Sequence, residues 1–315
     1  MKGKYSLYVS DTVRSYSLEL KSKYTFLLGD SATGKTMLYN MLASGGRAII
    51  KRCELGISTP TTDSDIEASL SGKGRLIVFD EGTDVFIRNT DLANKLIKSD
   101  NYFLLITRKS YSAIPYSLRD IYEIVDGSIV QKFSWREEKL SSPDIVITED
   151  IGSGQMMYKN IFQRSIFFPD RRSKYLSLRS GGKSNVVNIL SELGLHLDLR
   201  SKLIYIIVDC SAFGPEIDSL INQIETSNLW NNVIVFTPES FEYLLLMSIN
   251  PTMKELHQTW DFCDTRKYNS WEQYYTDLLK RVSWSNNLGQ YSKKRLRSQF
   301  LKYSEDVKHY LETLG

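Results

Sequence analysis

Residues 24–36, YTFLLGDSATGKT, join a continuous apolar run to a glycine-rich loop, and this stretch decides the fold of the first half of the chain. An apolar run without polar alternation is typical of a strand that is buried on both faces of a parallel sheet. The loop has the pattern G-x-x-x-x-G-K-T and leads into a helix predicted from Lys35 to about Ala43. This order of strand, loop and helix predicts a site for the phosphates of a nucleotide.

Each part of the loop has a physical role in this prediction. The glycines allow backbone N–H groups to curve around phosphate oxygens, and the lysine supplies positive charge to the terminal phosphates. The threonine hydroxyl can bind Mg²⁺. The alternative is a loop that matches the pattern by accident. The predicted ATP-binding residues are Gly29, Asp30, Ser31, Ala32, Thr33, Gly34, Lys35 and Thr36, together with Arg108 from a later strand.

Two later apolar runs in the first half also predict buried strands, and polar residues follow each of them. Asp80 and Glu81 follow the first run, so Asp80 is predicted to hold Mg²⁺ and Glu81 to polarise an attacking water. Thr107 and Arg108 follow the second. Because neighbouring strand ends face the same ligand, either residue is a candidate sensor of the terminal phosphate. The alternatives are an acidic turn after the first run and a solvated arginine after the second.

These motifs resemble those of the P-loop ATPases, and more narrowly a minimal ABC-class core, over about residues 3–135. The resemblance implies ATP and Mg²⁺ as cofactors, with Asp80 as the Walker B carboxylate and Glu81 as the adjoining catalytic glutamate. It also implies a homo-oligomer, because such cores complete their site with a second protomer. The segment between Lys35 and Asp80 is too short for the helical subdomain of the ABC signature. Arg108 and its neighbour stand where that class has a switch histidine. These departures favour nucleotide binding over rapid hydrolysis.

A second series of alternating strands and helices follows a break at residues 140–144. The predicted strand 145–148 ends at Glu149, and a later apolar run ends at Asp209. If these strands are neighbours in a parallel sheet, both carboxylates converge on one edge. That geometry suits a hard divalent cation, so both residues are predicted Mg²⁺ ligands. Between them, a glycine-led helix start at residues 180–184 predicts an anion site.

The order of strand with Glu149, glycine-led helix and strand with Asp209 resembles the Toprim domain of topoisomerases, primases and OLD-type nucleases. OLD-type nucleases also pair an ABC-like ATPase with a Toprim half. The resemblance implies a nuclease with Glu149 as general acid/base and Asp209 as a metal ligand. Ser211 replaces the second aspartate of the family, and Glu239 or Glu242 is a candidate to restore a carboxylate. The alternatives are a degenerate Toprim-like domain and an unrelated α/β domain.

The predicted fold class is α/β, with a parallel-sheet P-loop domain over 1–140, a Toprim-like domain over 141–250 and a helical C-terminal appendage over 251–315. The appendage carries a basic cluster that either grips a phosphate backbone or forms a solvated helix face. Trp271 and Trp284 of this segment are predicted to lie in the core. The cluster comprises Lys293, Lys294, Arg295 and Arg297.

Composition limits the class of protein. The 315 residues contain 40 basic and 37 acidic side chains and 12% aromatics, which exclude disorder for most of the chain. At about 150 residues per domain, this length predicts about two domains. No apolar run approaches the roughly 20 residues that cross a bilayer, so we expect a cytoplasmic protein without a membrane partner. Three scattered cysteines predict neither disulfides nor a zinc site.

The sequence supports two functions of different classes. The first is an ATP-binding protein whose ATPase half gates a Toprim-like half that acts on or near DNA or RNA, in a mobile-element or phage-defence setting. The second is a nucleotide-controlled switch that docks a protein partner and cuts nothing. A small-molecule P-loop kinase is disfavoured, because no arginine-rich lid lies between the two ATPase motifs.

Overall fold

The computed structural model describes residues 1–30, 33–44, 49–81, 91–133, 140–150, 152–163 and 175–314. They form an α/β protein with two compact units. The first unit comprises residues 1–134 and 258–271, and the second comprises 135–257 and 272–315. The segment 251–315 is therefore divided between the units, whereas the sequence predicts one appendage. Residues 258–271 return to the first unit because Lys23, buried in it, donates to the carbonyl of Thr265 at 3.1 Å and to Asn269 Oδ1 at 3.3 Å.

The first unit contains a six-stranded sheet and a three-stranded antiparallel sheet among its described residues. The larger sheet has the order β5-β6-β7-β3-β8-β9, in which β8 and β9 form an antiparallel hairpin and the other neighbours are parallel. The smaller has the order β2-β1-β4. The strands are β1 Tyr5–Ser10, β2 Ser15–Leu20, β3 Tyr24–Leu28, β4 Ile50–Cys53, β5 Gly56–Ser58, β6 Arg75–Asp80, β7 Tyr102–Thr107, β8 Ile121–Val125 and β9 Ser128–Gln131.

The second unit contains a four-stranded parallel sheet of order β11-β10-β12-β13. Every residue of β10 and β12, the two central strands, is buried. A strand that is covered on both faces needs apolar side chains at each position, which is why these strands read as continuous apolar runs. The strands are β10 Ile145–Thr148, β11 Leu176–Arg179, β12 Ile204–Ile207 and β13 Val233–Phe236.

Helices cover the sheets and include a C-terminal helix. None that lies within the described ranges is both long enough and apolar enough to cross a bilayer. The α-helices described are α1 Lys35–Ala43, α2 Asp63–Ser71, α3 Leu92–Lys98, α4 Ser153–Gln163, α5 Val186–His196, α6 Ile217–Thr226, α7 Phe241–Ile249, α8 Lys254–His257, α9 Thr259–Phe262, α10 Trp271–Ser285 and α11 Ser304–Leu314.

The C-terminal helix α11 belongs to the core of the second unit. It packs against α4 and α7, and its residues Val307 and Leu311 are fully buried. The 3₁₀ helix Ser298–Tyr303 precedes it and buries Phe300. The helix α11 is therefore part of the same apolar core as α4 and α7.

Candidate functional site

The glycine-rich loop leaves β3 inside the six-stranded sheet and ends where α1 begins. Gly34 takes φ +103°, a left-handed conformation that favours glycine, at the position that precedes α1. The sequence predicts Ser31 and Ala32 as ATP-binding residues, but both lie outside the described residues. The described part of the loop, Gly29, Asp30 and Thr33 to Thr36, lies at the carboxyl end of a buried parallel strand.

Lys35 is buried beneath this loop. Its ammonium donates hydrogen bonds to the carbonyls of Gly29 and of Asp30, the latter at 2.6 Å. Burial lowers the pKa of Lys35, the carboxylate of Glu81 opposes this effect, and Arg108 adds to it. The ammonium is therefore held by two neutral backbone carbonyls of the loop.

Three neighbouring strands deliver the predicted nucleotide residues to the same sheet edge. In the register of the sheet, Leu28 pairs with Thr107 of β7, and Asp80 of β6 pairs with Ile106. The strand β7 therefore lies between the strand that carries the loop and the strand that carries Asp80. The Thr107 hydroxyl donates to the carbonyl of Lys109 at 2.7 Å, which occupies one of its hydrogen bonds.

Glu81 and Arg108, predicted as catalytic glutamate and phosphate sensor, form an ion pair. The Arg108 backbone N–H donates to Glu81 Oε2 at 2.5 Å, and Arg108 Nε lies 2.5 Å from Oε1. The arginine side chain is 61% exposed, so it contacts solvent while it is paired with Glu81. In this arrangement both oxygens of the glutamate are occupied by the arginine.

Thr36 and Asp80 are the residues that would hold a Mg²⁺ ion beside the loop, if one binds there. Thr36 lies in the first turn of α1 and is exposed, and Asp80 is close enough to raise the pKa of Lys35. A hydroxyl and a carboxylate are the hard oxygen donors that Mg²⁺ prefers, with phosphate and water completing its shell. Such an ion supplies charge neutralisation to the phosphates that it binds.

In the second unit, Glu149 and Asp209 follow adjacent parallel strands, as the sequence argument requires. The Glu149 N–H donates to the carbonyl of Ile207 at 3.2 Å, and the Asp209 N–H donates to the Glu149 carboxylate. Oδ1 of Asp209 accepts from the Phe241 N–H at 2.9 Å. Among the described residues, Oε2 of Glu149 is buried without a hydrogen-bond partner.

These two side chains are half-buried and share a negatively charged environment. Burial, and next the charge of Glu272, raise the pKa of Glu149 to about 8. Burial also raises the pKa of Asp209 well above its usual range, with Glu149, Glu272 and Glu242 adding to the shift. The site therefore favours a proton or a cation.

Glu272 and Lys293 also lie close to these carboxylates: the sequence marks Lys293 only as part of a basic cluster, and no motif marks Glu272. Glu242 is only 2% exposed, and its Oε1 accepts from the Thr276 hydroxyl at 3.1 Å and from the Tyr291 hydroxyl at 3.0 Å. The Lys293 ammonium lies 3.5 Å from the same oxygen and forms an ion pair with Glu272. Burial lowers the pKa of Lys293, but the two carboxylates more than offset this, so its pKa is raised.

Lys183 lies on the predicted anion-binding helix start and turns toward the same region. Its ammonium donates to the carbonyl of Ala212 at 2.8 Å. Burial lowers its pKa, and the carboxylates of Glu216 and Glu149 oppose this effect. The ammonium thus lies near two carboxylates and donates to a carbonyl, and the anion site at this glycine-led helix start stays a prediction.

The donors in the second unit do not fit a metal ion. Ser211, at the position of the second aspartate, is buried, and its hydroxyl has no hydrogen-bond partner among the described residues. Within the described ranges, no three His, Cys, Asp or Glu side chains are grouped so that they could hold a metal. The lysines Lys183 and Lys293 already supply positive charge to Glu149.

Comparison of the chain with protein-family models, with curated proteins and with solved structures finds no match.

Proposed function

We propose that the first unit binds ATP and Mg²⁺ as a P-loop ATPase with a minimal ABC-like core. One observation carries the proposal: the glycine-rich loop connects β3 to α1, and Asp80 and Thr107 lie at the carboxyl ends of the two next strands. Ligands of open parallel sheets bind at this edge. The loop and the helix start also provide backbone N–H groups and a positive dipole for phosphates.

Each residue has a role in the proposed site. Lys35 exchanges its two carbonyl contacts for oxygens of the terminal phosphates. Thr36 and Asp80 hold Mg²⁺. Glu81 orients and polarises the attacking water once Arg108 leaves it, and Arg108 then contacts the terminal phosphate.

The ion pair of Glu81 with Arg108 predicts slow hydrolysis by the isolated chain. As long as the arginine occupies both carboxylate oxygens, the glutamate cannot accept a hydrogen bond from water in the required geometry. A second protomer or a partner that draws Arg108 away would raise turnover. This fits the homo-oligomer that the ABC-like resemblance implies.

The second part of the proposal concerns the second unit. We infer that it is a degenerate Toprim-like domain that acts on or near nucleic acid and that the nucleotide gates it. The position of Glu149 and Asp209 after adjacent parallel strands supports this inference. We do not propose metal-dependent nuclease activity, because Ser211 supplies no further carboxylate and Lys183 and Lys293 already supply positive charge to Glu149.

A nucleotide-controlled switch that docks a protein partner is the second candidate. The Glu81–Arg108 ion pair favours it, because a switch needs ATP binding and only slow turnover. In that case the second unit would respond to ATP without binding nucleic acid.

ATP binding tests the proposal directly. Titration of ATP with Mg²⁺ should give a saturable heat with the wild type, and Lys35→Ala should weaken it at least about tenfold, since a charge-assisted contact contributes about 1.5–3 kcal/mol. Lys73→Ala, an exposed lysine of the same unit, is the matched control and should bind as the wild type does. Equal affinity of the Lys35→Ala variant and the wild type would remove the P-loop assignment.

A further inference from the structure

A basic cleft lies in the second unit, beside the buried carboxylates. Its volume is about 1220 Å³, and its walls come from α10, from the segment 290–301 and from Met156 of α4. Five cationic side chains line it, and no aspartate or glutamate of the described residues does. They are Lys280, Lys293, Lys294, Arg295 and Arg297.

Most of this positive charge is not neutralised. Lys293 is paired with Glu242 and Glu272, and Lys280 lies 3.5 Å from Asp277. The other three cations, Lys294, Arg295 and Arg297, are exposed, and in the described part of the chain no carboxylate lies within ion-pair distance of them. The cleft therefore presents unpaired cations to which an anionic ligand can bind.

The segment that carries these cations is fixed to the fold. At the start of α4, the Ser153 N–H donates to the carbonyl of Lys293 at 2.9 Å, and the Ser153 hydroxyl donates to the carbonyl of Ser292. The side chains of Leu296 and Phe300 are buried. Because hydrogen bonds and buried side chains fix the backbone of this segment, the cations keep a defined spacing, which they would not do in a solvated tail.

The size and the charge of the cleft favour a polymer with many phosphates. Pockets for small ligands usually measure about 300–1,000 Å³, so this cleft exceeds that range. Trp284 is 74% exposed, although the sequence predicts it in the core. Trp284 does not line the cleft itself, but it follows Lys280, which does, by one turn of α10, and its exposed ring can stack on an unpaired base.

We propose that this cleft binds single-stranded nucleic acid, with Lys280, Lys294, Arg295 and Arg297 on the phosphates and Trp284 against a base. This proposal rests on the second part of the proposed function and adds the binding surface to it. The nucleic acid binds in the basic cleft, beside the sheet edge that carries Glu149 and Asp209. It does not require ATP binding. Stacking and backbone contacts together give binding that tolerates many sequences and depends strongly on salt.

Fluorescence anisotropy with a labelled single-stranded oligonucleotide tests the proposal in the full-length protein. The wild type should bind with a slope of log K against log salt of about −3, as four phosphate contacts on a single strand imply. Lys294→Glu with Arg295→Glu should weaken binding at least about tenfold. Trp284→Ala should weaken the single strand more than a duplex of the same sequence.

The matched control is Lys159→Glu with Arg200→Glu, which changes the charge equally at exposed positions outside the cleft. The control should bind as the wild type does, and all variants are compared without ATP, so a failed ATP site would not imitate a failed cleft. Absence of oligonucleotide binding by the wild type, or an equal loss in the cleft and control variants, would overturn the proposal. So would displacement of the oligonucleotide by inorganic pyrophosphate at an equal phosphate concentration, which would indicate a small-anion site.

Discussion

In the second unit, single carboxylate residues determine the chemistry at the carboxyl edge of the parallel sheet. Glu149 and Asp209 lie where a metal site would be built, yet lysines supply the positive charge around them. Removing both charges of a buried pair costs little compared with leaving one of them unpaired. The lysine Lys293 therefore acts as an internal counter-ion for Glu242 and Glu272, and it ties the basic segment to this cluster.

Glu149 gives a pH-dependent prediction. Its pKa of about 8 in the folded protein lies above the usual 4.5. The protonated acid therefore contributes its full stability below about pH 4.5, and this contribution is lost as the pH rises through 8. Glu149→Gln stays neutral, so its stability relative to the wild type should increase by about 3 kcal/mol between pH 5.5 and pH 8.5. Thermal unfolding at the two pH values measures this difference.

An exposed glutamate provides the control for this measurement. Glu192→Gln on α5 should leave the difference from the wild type nearly constant across the same pH range. A Glu149→Gln variant whose advantage does not grow with pH would contradict the assignment of a buried, easily protonated carboxyl.

At the residue scale, the sequence predicts which strand ends carry polar groups but not what those groups contact. Lys35 and Asp80 follow from a motif with fixed spacing. The pairing of Arg108 with Glu81 does not, because it depends on the register of β6 against β7. Lys293 belongs to the carboxylate cluster for a similar reason: a loop far along the chain returns to the sheet edge.

At the element scale, the contact between the start of α4 and the segment 292–294 is the one that brings the basic cleft to the carboxylate edge. Gly152 has φ +155°, and a Cβ at this position would overlap the carbonyl oxygen of Lys294. Backbone cannot move aside as the end of a flexible side chain can. The close approach therefore requires glycine.

Gly152→Ala should lower the free energy of unfolding by about 2–4 kcal/mol, because it adds backbone strain and a clash. Gly182→Ala is a closely matched control, since Gly182 also has φ +155° and a Cβ there would meet nothing within 4 Å. The control should lose only about 1–2 kcal/mol from its backbone conformation. Urea unfolding curves measure both, and equal losses would show that the approach to the segment 292–294 is not tight.

Elements with a strong pattern could be predicted, and short or edge elements could not. The buried strands β3, β7 and β12 read directly as apolar runs. The strands β5 and β11 lack that signal, because they lie at sheet edges and are short and partly exposed. An edge strand needs apolar residues at fewer positions, so its sequence lacks the apolar pattern that predicts a strand.

At the scale of the whole molecule, composition and alternation predict an α/β protein, and the structure confirms that class. The return of residues 258–271 to the first unit could not be predicted, because it depends on hydrogen bonds from Lys23 to residues distant in sequence. The proposed gating joins the first unit, which we propose binds the nucleotide, to the second α/β unit. Coupling between two sites is reciprocal and is usually worth a factor of about 5–150 in affinity.

The measurement that tests the central claim most directly is the affinity of the full-length protein for a single-stranded oligonucleotide, with and without ATP and Mg²⁺. We predict a change of at least about fivefold in the wild type and none in Lys35→Ala, because only an occupied loop can alter the second unit. An affinity that stays the same at ATP concentrations shown to saturate the wild type would contradict gating of nucleic-acid binding by the nucleotide.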